Sequence, residues 1–255
     1  MVIAVASLFL VRHFAPPGWL HANNEVAGNY LQTLGTIYAV LLAFVVFVVW
    51  QQHNDVRGAI EDEANELSDL DRIMHAFPES VRTQVRTWTV AYQQAVVAEE
   101  WRAMAHGRVS PRAEEALEEV WRALEVFEPH TRREEVLYSE ALARFNDLSD
   151  ARVHRLHFGH LRLPPSLWTL LLTNGGLLVG SMWLFGLESF GAHALMTAAL
   201  AGSVAFILYL IADLDNPFWG AWQVTAEPFR HALDRGTSAP RAPAPGSSAH
   251  RPAHG

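Results

Sequence analysis

Three stretches of the chain carry no formal charge and are long enough to form membrane-spanning helices. They are residues 34–50 (LGTIYAVLLAFVVFVVW), 166–187 (SLWTLLLTNGGLLVGSMWLFGL) and 192–212 (AHALMTAALAGSVAFILYLIA). At about 1.5 Å per residue, the first stretch is roughly 25 Å long as a helix, near the lower limit for crossing the bilayer core. A buried helix of a soluble core is the alternative for this stretch. Only residues 188–191 separate the last two stretches, so we expect these two to form a tight antiparallel hairpin.

A fourth apolar stretch begins the sequence. Residues 1–11 (MVIAVASLFLV) would make a helix of about 16 Å, too short to cross a bilayer alone. The stretch lacks the basic segment and the small-residue cleavage site of a signal peptide. We interpret it as a short or truncated first span, and a helix lying in the membrane interface is the alternative.

The region between the second and third spans, residues 51–165, is polar and has helical periodicity. After Trp50, apolar residues recur every three or four positions, which predicts that the second span continues as one long helix up to the break at Pro78. The apolar positions of this repeat are Val56, Ile60, Ala64, Leu67, Leu70 and Ile73 or Met74. Further helices are predicted at about 80–105, from Ser110-Pro111 onward, and at about 131–158. No β-hairpin pattern occurs.

These patterns predict an all-α membrane protein. It has four transmembrane helices, the first short or truncated, with a cytoplasmic helical domain inserted between helices 2 and 3. The predicted parts are 1–50 (N-terminal membrane part), 51–165 (helical domain), 166–235 (membrane hairpin and post-membrane segment) and 236–255. The last part is rich in Pro, Ala, Ser and Gly and is predicted to be disordered.

Charge and composition narrow the function class. The 255 residues have a mean hydropathy of +0.07, which averages apolar spans with a charged domain. A net charge of −8 argues against a nucleic-acid partner. The helical domain is flanked at the membrane by arginines, whereas the opposite side has only Arg12, so the positive-inside rule predicts a cytoplasmic domain and an inner-membrane location. The flanking arginines are Arg57, Arg152, Arg155, Arg162 and Arg230.

No motif for nucleotide binding, hydrolysis or zinc catalysis is present, so we predict neither an enzyme nor a cofactor nor a metal site. The spacing of His154, His157 and His160 favours an interfacial polar cluster over a metal site, because no carboxylate completes a ligand set. The run Glu61-Asp62-Glu63 is interpreted as a solvated helix face. Glu99-Glu100-Trp101 is interpreted as a helix-docking segment.

Three polar residues lie at the end of or within the predicted spans. Asp213 and Asp215 end the last span, where a carboxylate must reach water, a partner or an ion. A cap or salt bridge is the favoured interpretation, and a cation-binding or gating contact is the alternative. Tyr38 is expected to hydrogen-bond a neighbouring helix, with pore lining as the alternative. The glycines at 175, 176 and 180 favour close helix packing over a hinge.

Several motifs resemble one known family, in the order expected for it. They are GTIYAVLLAFVVFVVW followed by EDEANELSDLDR, then AEEW, LSDARVHRL, PPSLW, HALMTAALAG and LDNPFWG, which together cover roughly residues 24 to 235. The chain resembles the bacterial family DUF4239, often labelled bestrophin-like, and is remotely similar to bestrophins. Bestrophins are pentameric anion channels with four spans per subunit and a neck formed by the second span.

The resemblance implies specific site residues. The second span would form the neck with one face, whose residues are spaced three and four apart: Thr33, Ile37, Leu41 (or Val40), Phe44 and Val48. A surface that faces lipid or another helix is the alternative for this face. Bestrophins carry an Asn-Pro-Phe-Gly stretch after the last span, followed by acids that bind Ca²⁺ in animal members. Here Asn216-Pro217-Phe218 matches, but Trp219 precedes the glycine and no acidic run follows. The implied gating or ion-contact residues are Asp213, Asp215, Asn216, Pro217 and Phe218.

The predicted function is therefore an oligomeric, bestrophin-like ion channel, with the second span as its hydrophobic neck. The resemblance implies that it conducts anions. Its expected partners are the lipid bilayer, ions and further copies of the same chain, with a pentamer implied by the resemblance. A non-conducting membrane scaffold or sensor, whose helical domain binds a partner, is the alternative.

Overall fold

In the described part of the chain, one long helix forms the centre and other helices pack against it. The computed structural model describes residues 24–185 and 189–237. The central helix is α1, a single helix of 51 residues from Asn24 to Met74 that passes from the apolar span into the polar region without a break. The prediction of one long helix is confirmed. Helix α1 ends at Met74, and Pro78 is the N-cap residue of the next helix.

The remaining helices follow in a simple order. They are α2 (Glu79–Ala95), a π-helical turn (Val96–Glu100), α3 (Trp101–Met104), α4 (Pro111–Glu125), α5 (Arg132–His160), α6 (Pro165–Ser181) with a 3₁₀ turn (Met182–Leu184), α7 (Phe190–Leu214) and α8 (Glu227–Thr237). No strand occurs within the ranges described. The fold is all-α, as predicted.

Local sequence sets the helix starts. Ser110 caps α4 by accepting from the Ala113 N–H at 3.4 Å, with Pro111 in the first helical position. Thr131 and Glu134 form a capping box at the start of α5. Both starts agree with the predicted positions.

Two hydrophobic cores divide the molecule along α1. In the membrane part, α1 packs against α6 and α7 through a core whose central members are Tyr38, Leu42, Val45, Val49, Leu171, Leu178 and Ile211. In the polar part, α1 packs beside α5, α2 pairs with α4, and α8 closes the bundle against α1 and α2. Helix α8 follows the last span and was not predicted as a helix.

Three helical stretches in the described residues are long and apolar enough to cross a membrane. They are Gly28–Met74, Arg132–Leu184 and Phe190–Leu214. The predicted first span, residues 1–11, lies outside the described residues, as do residues 186–188 of the predicted hairpin and residues 238–255 of the predicted tail. Gly236 and Thr237, also assigned to that tail, form the end of α8.

Exposed tryptophans mark where the membrane part meets the bundle. Trp50 on α1 is 46% exposed, and Trp219 and Trp222, in the segment after α7, are 67% and 52% exposed. Trp50 and Trp222 are edge-to-face neighbours, with ring centroids 6.4 Å apart. Tryptophan prefers the membrane–water interface, so this group locates the bundle-side interface.

Candidate functional site

The face of α1 that packs inside the subunit is distinct from the face predicted to line a pore. Tyr38, Leu42, Val45 and Val49 are buried against α6 and α7. The Tyr38 hydroxyl donates to the backbone oxygen of Leu171 on α6 at 3.2 Å. The expected hydrogen bond to a neighbouring helix is therefore confirmed.

The five predicted pore-lining residues lie together on another side of the same helix. At 100° per residue, their mean direction is about 110°, or roughly a third of a turn, from that of the buried face. In the single chain, Thr33, Ile37 and Phe44 are exposed, whereas Leu41 and Val48 are half-buried. The alternative position Val40 is also exposed. Within the described residues, Thr33, Ile37 and Phe44 are therefore uncovered, whereas Leu41 packs against the membrane core.

Close approach of α1 to α6 depends on one glycine. A Cβ atom at Gly175 would lie 2.7 Å from the Tyr38 hydroxyl and 3.2 Å from a Val204 methyl. The neighbouring Gly176 has nothing within 4 Å of that position, and Gly180 would meet only the Trp183 ring, no closer than 3.8 Å. Gly175 is therefore the packing glycine, and the four-residue pair Gly176 and Gly180 is not.

Two aspartates at the end of α7 accept hydrogen bonds from backbone N–H groups and so hold the segment that follows. Asp213 is buried and accepts from Ala221 at 3.0 Å and Trp222 at 2.9 Å. Asp215 accepts from the Leu163 N–H at 2.7 Å, which ties α7 to the entrance of α6. Both aspartates are therefore satisfied by backbone N–H groups of loop residues, and within the described residues their side chains form neither a helix cap nor a salt bridge.

Asn216-Pro217-Phe218 connects the membrane hairpin to the bundle. The Asn216 side chain accepts from Arg162 at 3.1 Å and donates to the Ala105 backbone oxygen at 3.3 Å. Pro217 accepts from the Val224 N–H at 2.8 Å through its carbonyl. Phe218 is buried, with its ring edge-to-face against Trp101 at 5.2 Å. The segment is thus a structural junction between the two cores.

Gly159 makes room for that junction. Glycine has a low helix propensity, yet α5 continues through Gly159 to His160. A Cβ atom at this position would lie 2.6 Å from Met104 Cε and 2.8 Å from the Phe218 ring. The glycine is needed for packing, and tertiary contacts outweigh its low helix propensity.

A buried network of four charges lies deeper in the bundle and was not predicted as a unit. The Arg155 side chain donates to Glu63 through Nε at 2.6 Å and to Glu100 through Nη2 at 2.8 Å. Arg152 donates two hydrogen bonds to the same Glu100, at 2.8 and 2.9 Å. The Tyr92 hydroxyl donates to Glu63 and accepts from Arg152. Two carboxylates and two guanidiniums balance, so the network joins α1, the π-helical turn and α5 without net charge.

Burial shapes the ionisation of this network. Desolvation opposes the charged form of Glu100, but Arg155 and Arg152 outweigh it and lower the pKa of this carboxyl below its ordinary value. Burial, reinforced by the Glu63 carboxylate, raises the pKa of the Tyr92 phenol well above its ordinary value. Both effects keep the Glu100 carboxylate charged and the Tyr92 phenol protonated at neutral pH.

In the π-helical turn Val96–Glu100, the two adjacent glutamates bind partners on different sides of the helix. Glu100 points into the buried network, whereas Glu99 accepts from the Ser110 hydroxyl at 3.1 Å and from Arg112 at 2.7 Å. The interpretation of this segment as a docking point is confirmed. Such wide turns insert one extra residue into a helix and re-aim the side chains that follow.

The interpretation of Glu63 as part of a solvated face was wrong. Glu61 and Asp62 are exposed, but Glu63 is fully buried. Its position gave a usable signal, because Glu63 falls three residues after Ile60 and four before Leu67, on the apolar stripe of α1. A charged residue on such a stripe needs a buried partner, and Arg155 supplies it.

The histidines of α5 do not assemble with acidic residues. His154 and His157 each pack beside the Phe158 ring, at 5.9 and 5.6 Å between centroids. Across residues 24–185 and 189–237, no group of three or more His, Asp or Glu side chains is arranged to hold a metal ion.

Comparison with known families now adds to this geometry. A family model described as "Bestrophin-like domain" matches residues 1–229, most of the chain. This chain belongs to the bestrophin-like family. The resemblance drawn from the sequence motifs is confirmed at this level. A search of curated proteins found no match.

Solved structures share the fold of this bestrophin-like chain. A crystal structure of a bacterial bestrophin homologue from Klebsiella pneumoniae aligns with a TM-score of 0.64 and 12% identity, covering 92% of this chain and 96% of the homologue. A single-residue variant of that homologue aligns with a TM-score of 0.68 and 11% identity, over the same shares of both chains. At such low identity, the likeness establishes the fold alone. Together with the three apolar helices, it identifies a membrane protein of the bestrophin fold.

Proposed function

We propose that this protein is an oligomeric ion channel that conducts anions, with α1 forming a hydrophobic neck. The observation that carries the proposal is the strip formed by Thr33, Ile37, Leu41, Phe44 and Val48. Thr33, Ile37 and Phe44 of this strip are uncovered within the described residues, although the other side of α1 is tightly packed against α6 and α7. Membership of the bestrophin-like family supports it independently.

Conduction requires several copies of the chain. Within residues 34–50, α1 contains no formal charge, and its buried side is filled by packed side chains. The described part of one subunit therefore offers no ion path. Placing the strips of several subunits around an axis would create a continuous apolar constriction. Such a constriction gates by dewetting, since narrow apolar pores exclude water and ions until they widen. A pentamer and anion selectivity follow the resemblance to bestrophins.

The bundle is proposed to face the cytoplasm of the inner membrane. Arg57, Arg162 and Arg230 flank the spans on the bundle side, which supports this orientation under the positive-inside rule. The post-membrane junction would then link movements of α7 to the cytoplasmic bundle, through Asn216 and Phe218. In this proposal, the junction residues act mechanically, and the carboxylates of Asp213 and Asp215 bind backbone N–H groups and do not hold ions.

Conductance of the purified oligomer in planar bilayers tests the proposal. We expect chloride currents above the empty-lipid background. Replacing Phe44 with Ala should increase unitary conductance, because it removes bulk from the neck. Phe206→Ala is the matched control, since Phe206 on α7 is equally exposed in the subunit, 68% against 63% for Phe44, but lies outside the strip.

Two results would contradict the channel proposal. One is a folded oligomer that carries no current above the lipid background. The other is an equal effect of Phe44→Ala and Phe206→Ala on conductance. A monomer or dimer by mass photometry that retains a stoichiometric soluble partner would favour the membrane scaffold instead.

A further inference from the structure

Two cavities lie one above the other along a single side of α1, across the bundle-side membrane interface. The upper is an apolar groove between α1 and α7, with a volume of about 700 Å³. It is lined by Ala39, Leu42, Ala43, Val46, Phe47, Trp50, Ile207 and Leu210. The lower is a polar pocket of about 380 Å³ between α1 and the segment that leads into α8. Its chemistry-bearing lining residues are His53, Arg57, Glu61, Thr225, Glu227 and His231.

Helical register joins the two cavities. Ala39, Ala43, Val46 and Trp50 line the groove at spacings of three and four residues, and His53, Arg57 and Glu61 continue the same series into the pocket. The Trp50 ring stacks on the His53 ring, with centroids 6.3 Å apart and planes 18° apart. The two cavities therefore meet at this aromatic pair, at the level of the interfacial tryptophans.

The length of the groove matches one leaflet. From Ala39 to Trp50 the helix rises about 16 Å, at 1.5 Å per residue. Half of a hydrocarbon core of about 30 Å is about 15 Å. The groove therefore reaches from the interface to about the middle of the bilayer, which is the depth of one acyl chain.

The pocket carries both signs of charge. Arg57 supplies one cation. Its ion pair with Glu61 uses only Nε, at 3.1 Å, so the two Nη groups of the guanidinium take no part in this pair. Glu61 and Glu227 supply two carboxylates, the second 3.4 Å from His231. A ligand that fits this pocket has an anionic group for Arg57 and a cationic donor for the carboxylates.

His53 forms one wall of the pocket. Its Nε2 lies 2.8 Å from the Trp222 backbone oxygen, and because a carbonyl only accepts, Nε2 must carry the proton. Nδ1 is buried and is not open to a ligand. The carboxylates of Glu61 and Glu227 are therefore the acceptors that a primary ammonium group would meet in this pocket.

We propose that the groove and the pocket together bind one phospholipid with a zwitterionic, primary-ammonium headgroup, such as phosphatidylethanolamine. An acyl chain occupies the groove, the phosphate faces Arg57, and the ammonium group faces Glu61 and Glu227. Charge complementarity favours this lipid over an anionic one, because the pocket contains two carboxylates and one arginine.

Native mass spectrometry of the delipidated, full-length oligomer tests the proposal, with phosphatidylethanolamine and phosphatidylglycerol added separately. The wild type should retain about one phosphatidylethanolamine per subunit, with affinity about tenfold higher than for phosphatidylglycerol, the factor expected from one charge-assisted hydrogen bond. The double variant Glu61→Gln, Glu227→Gln should lose that preference. Glu125→Gln, on the exposed side of α4, should keep it.

The groove is tested separately. Ala43→Phe fills it and should reduce retention of both lipids about tenfold, whereas Ala205→Phe, on an exposed side of α7 outside the groove, should leave retention unchanged. If Ala43→Phe does not assemble, Ala39→Phe blocks the same groove. Equal retention of the two lipids by the wild type, or full retention by the groove variants, would overturn the proposal.

A competing occupant is also detectable. The chain contains no cysteine, so Ala43→Cys introduces a single thiol. Efficient disulfide-linked dimers of this variant in membranes would show that a second copy fills the groove, and would also overturn the proposal. None of these measurements depends on conductance, so lipid binding and channel activity can fail independently.

Discussion

Arg155 and Glu63 form an ion pair of 2.6 Å between Nε and Oε2, and neither side chain is exposed to solvent. They come from α5 and α1, 92 residues apart in the chain. The same guanidinium also reaches Glu100 at 2.8 Å, and its Nη1 donates to Met104 Sδ at 2.9 Å. One arginine therefore holds three segments of the bundle at one point, directly below the membrane part of α1.

Removing this arginine should destabilise the protein strongly. Arg155→Met keeps much of the side-chain volume but leaves Glu63 without its guanidinium and Glu100 with only one. Breaking a buried pair in this way lowers the free energy of unfolding by about 3–5 kcal/mol. Thermal unfolding of the detergent-solubilised protein, followed by intrinsic fluorescence, measures the effect. Arg133→Met, at an exposed position of the same helix, is the matched control and should leave the unfolding temperature unchanged. Equal unfolding temperatures for the two variants would contradict the prediction.

Stability should fall in acid because of Glu100. Its folded-state pKa is below the ordinary value, so the unfolded chain binds more protons and stability rises with pH in this range. The contribution is fully present above the unfolded pKa of about 4.3 and is lost as pH falls through the lower folded pKa.

Unfolding temperatures measured from pH 6 downward should therefore decline more steeply for the wild type than for Glu100→Gln. At pH 6 the variant should have the lower unfolding temperature, because its amide pairs less well with Arg152 and Arg155. It has no carboxylate at position 100 to protonate, so its unfolding temperature should fall less with pH. Glu125→Gln should keep the wild-type slope. Parallel slopes for the wild type and Glu100→Gln would exclude Glu100 as the source of acid sensitivity.

Gly220 should not tolerate a side chain. Its φ of +106° is a conformation that other residues rarely adopt, and a Cβ atom there would collide with the Asp213 carboxylate. Gly220→Ala should therefore lower stability by at least about 1–2 kcal/mol and loosen the bonds from Asp213 to Ala221 and Trp222. Thermal unfolding together with hydrogen exchange of residues 219–224 would detect both changes.

The control for Gly220 is the same substitution inside a helix. Gly58 lies in α1, and a Cβ atom there meets nothing within 4 Å. Gly58→Ala should be neutral or stabilising by up to about 1 kcal/mol, because alanine has the higher helix propensity. A destabilising Gly58→Ala with a neutral Gly220→Ala would reverse the expected order and contradict the described geometry.

Adjacent glycines of α6 should respond differently to the same change. Gly175→Ala places a methyl group 2.7 Å from the Tyr38 hydroxyl, so α1 and α6 must separate or the bond from Tyr38 to Leu171 must break. Gly176→Ala places its methyl group in open space. We expect a lower unfolding temperature for the first variant only, by the several degrees that correspond to about 1–3 kcal/mol of overpacking. If both residues acted as a hinge, the two variants would have similar effects.

The sequence by itself determined the helical class, the three described spans and the continuous helix α1. Those features depend on local periodicity and on uncharged length, which any window of the sequence displays. It also identified helix starts at Ser110 and Thr131, because capping chemistry is local. The motifs in LDNPFWG and AEEW were sufficient to recognise the bestrophin-like family.

Only the tertiary structure decided which polar residues are buried together. Glu63 and Glu61 stand two residues apart in one acidic run, yet the first is enclosed by the bundle and the second is exposed. The difference depends on Arg155, which is distant in sequence, and on the π-helical turn that aims Glu100 inward. Likewise, Gly175 and Gly176 are equivalent in sequence, and only the position of Tyr38 separates them. Burial and pairing arise from contacts between distant segments, and helical periodicity contains no information about which segment arrives opposite a given side chain.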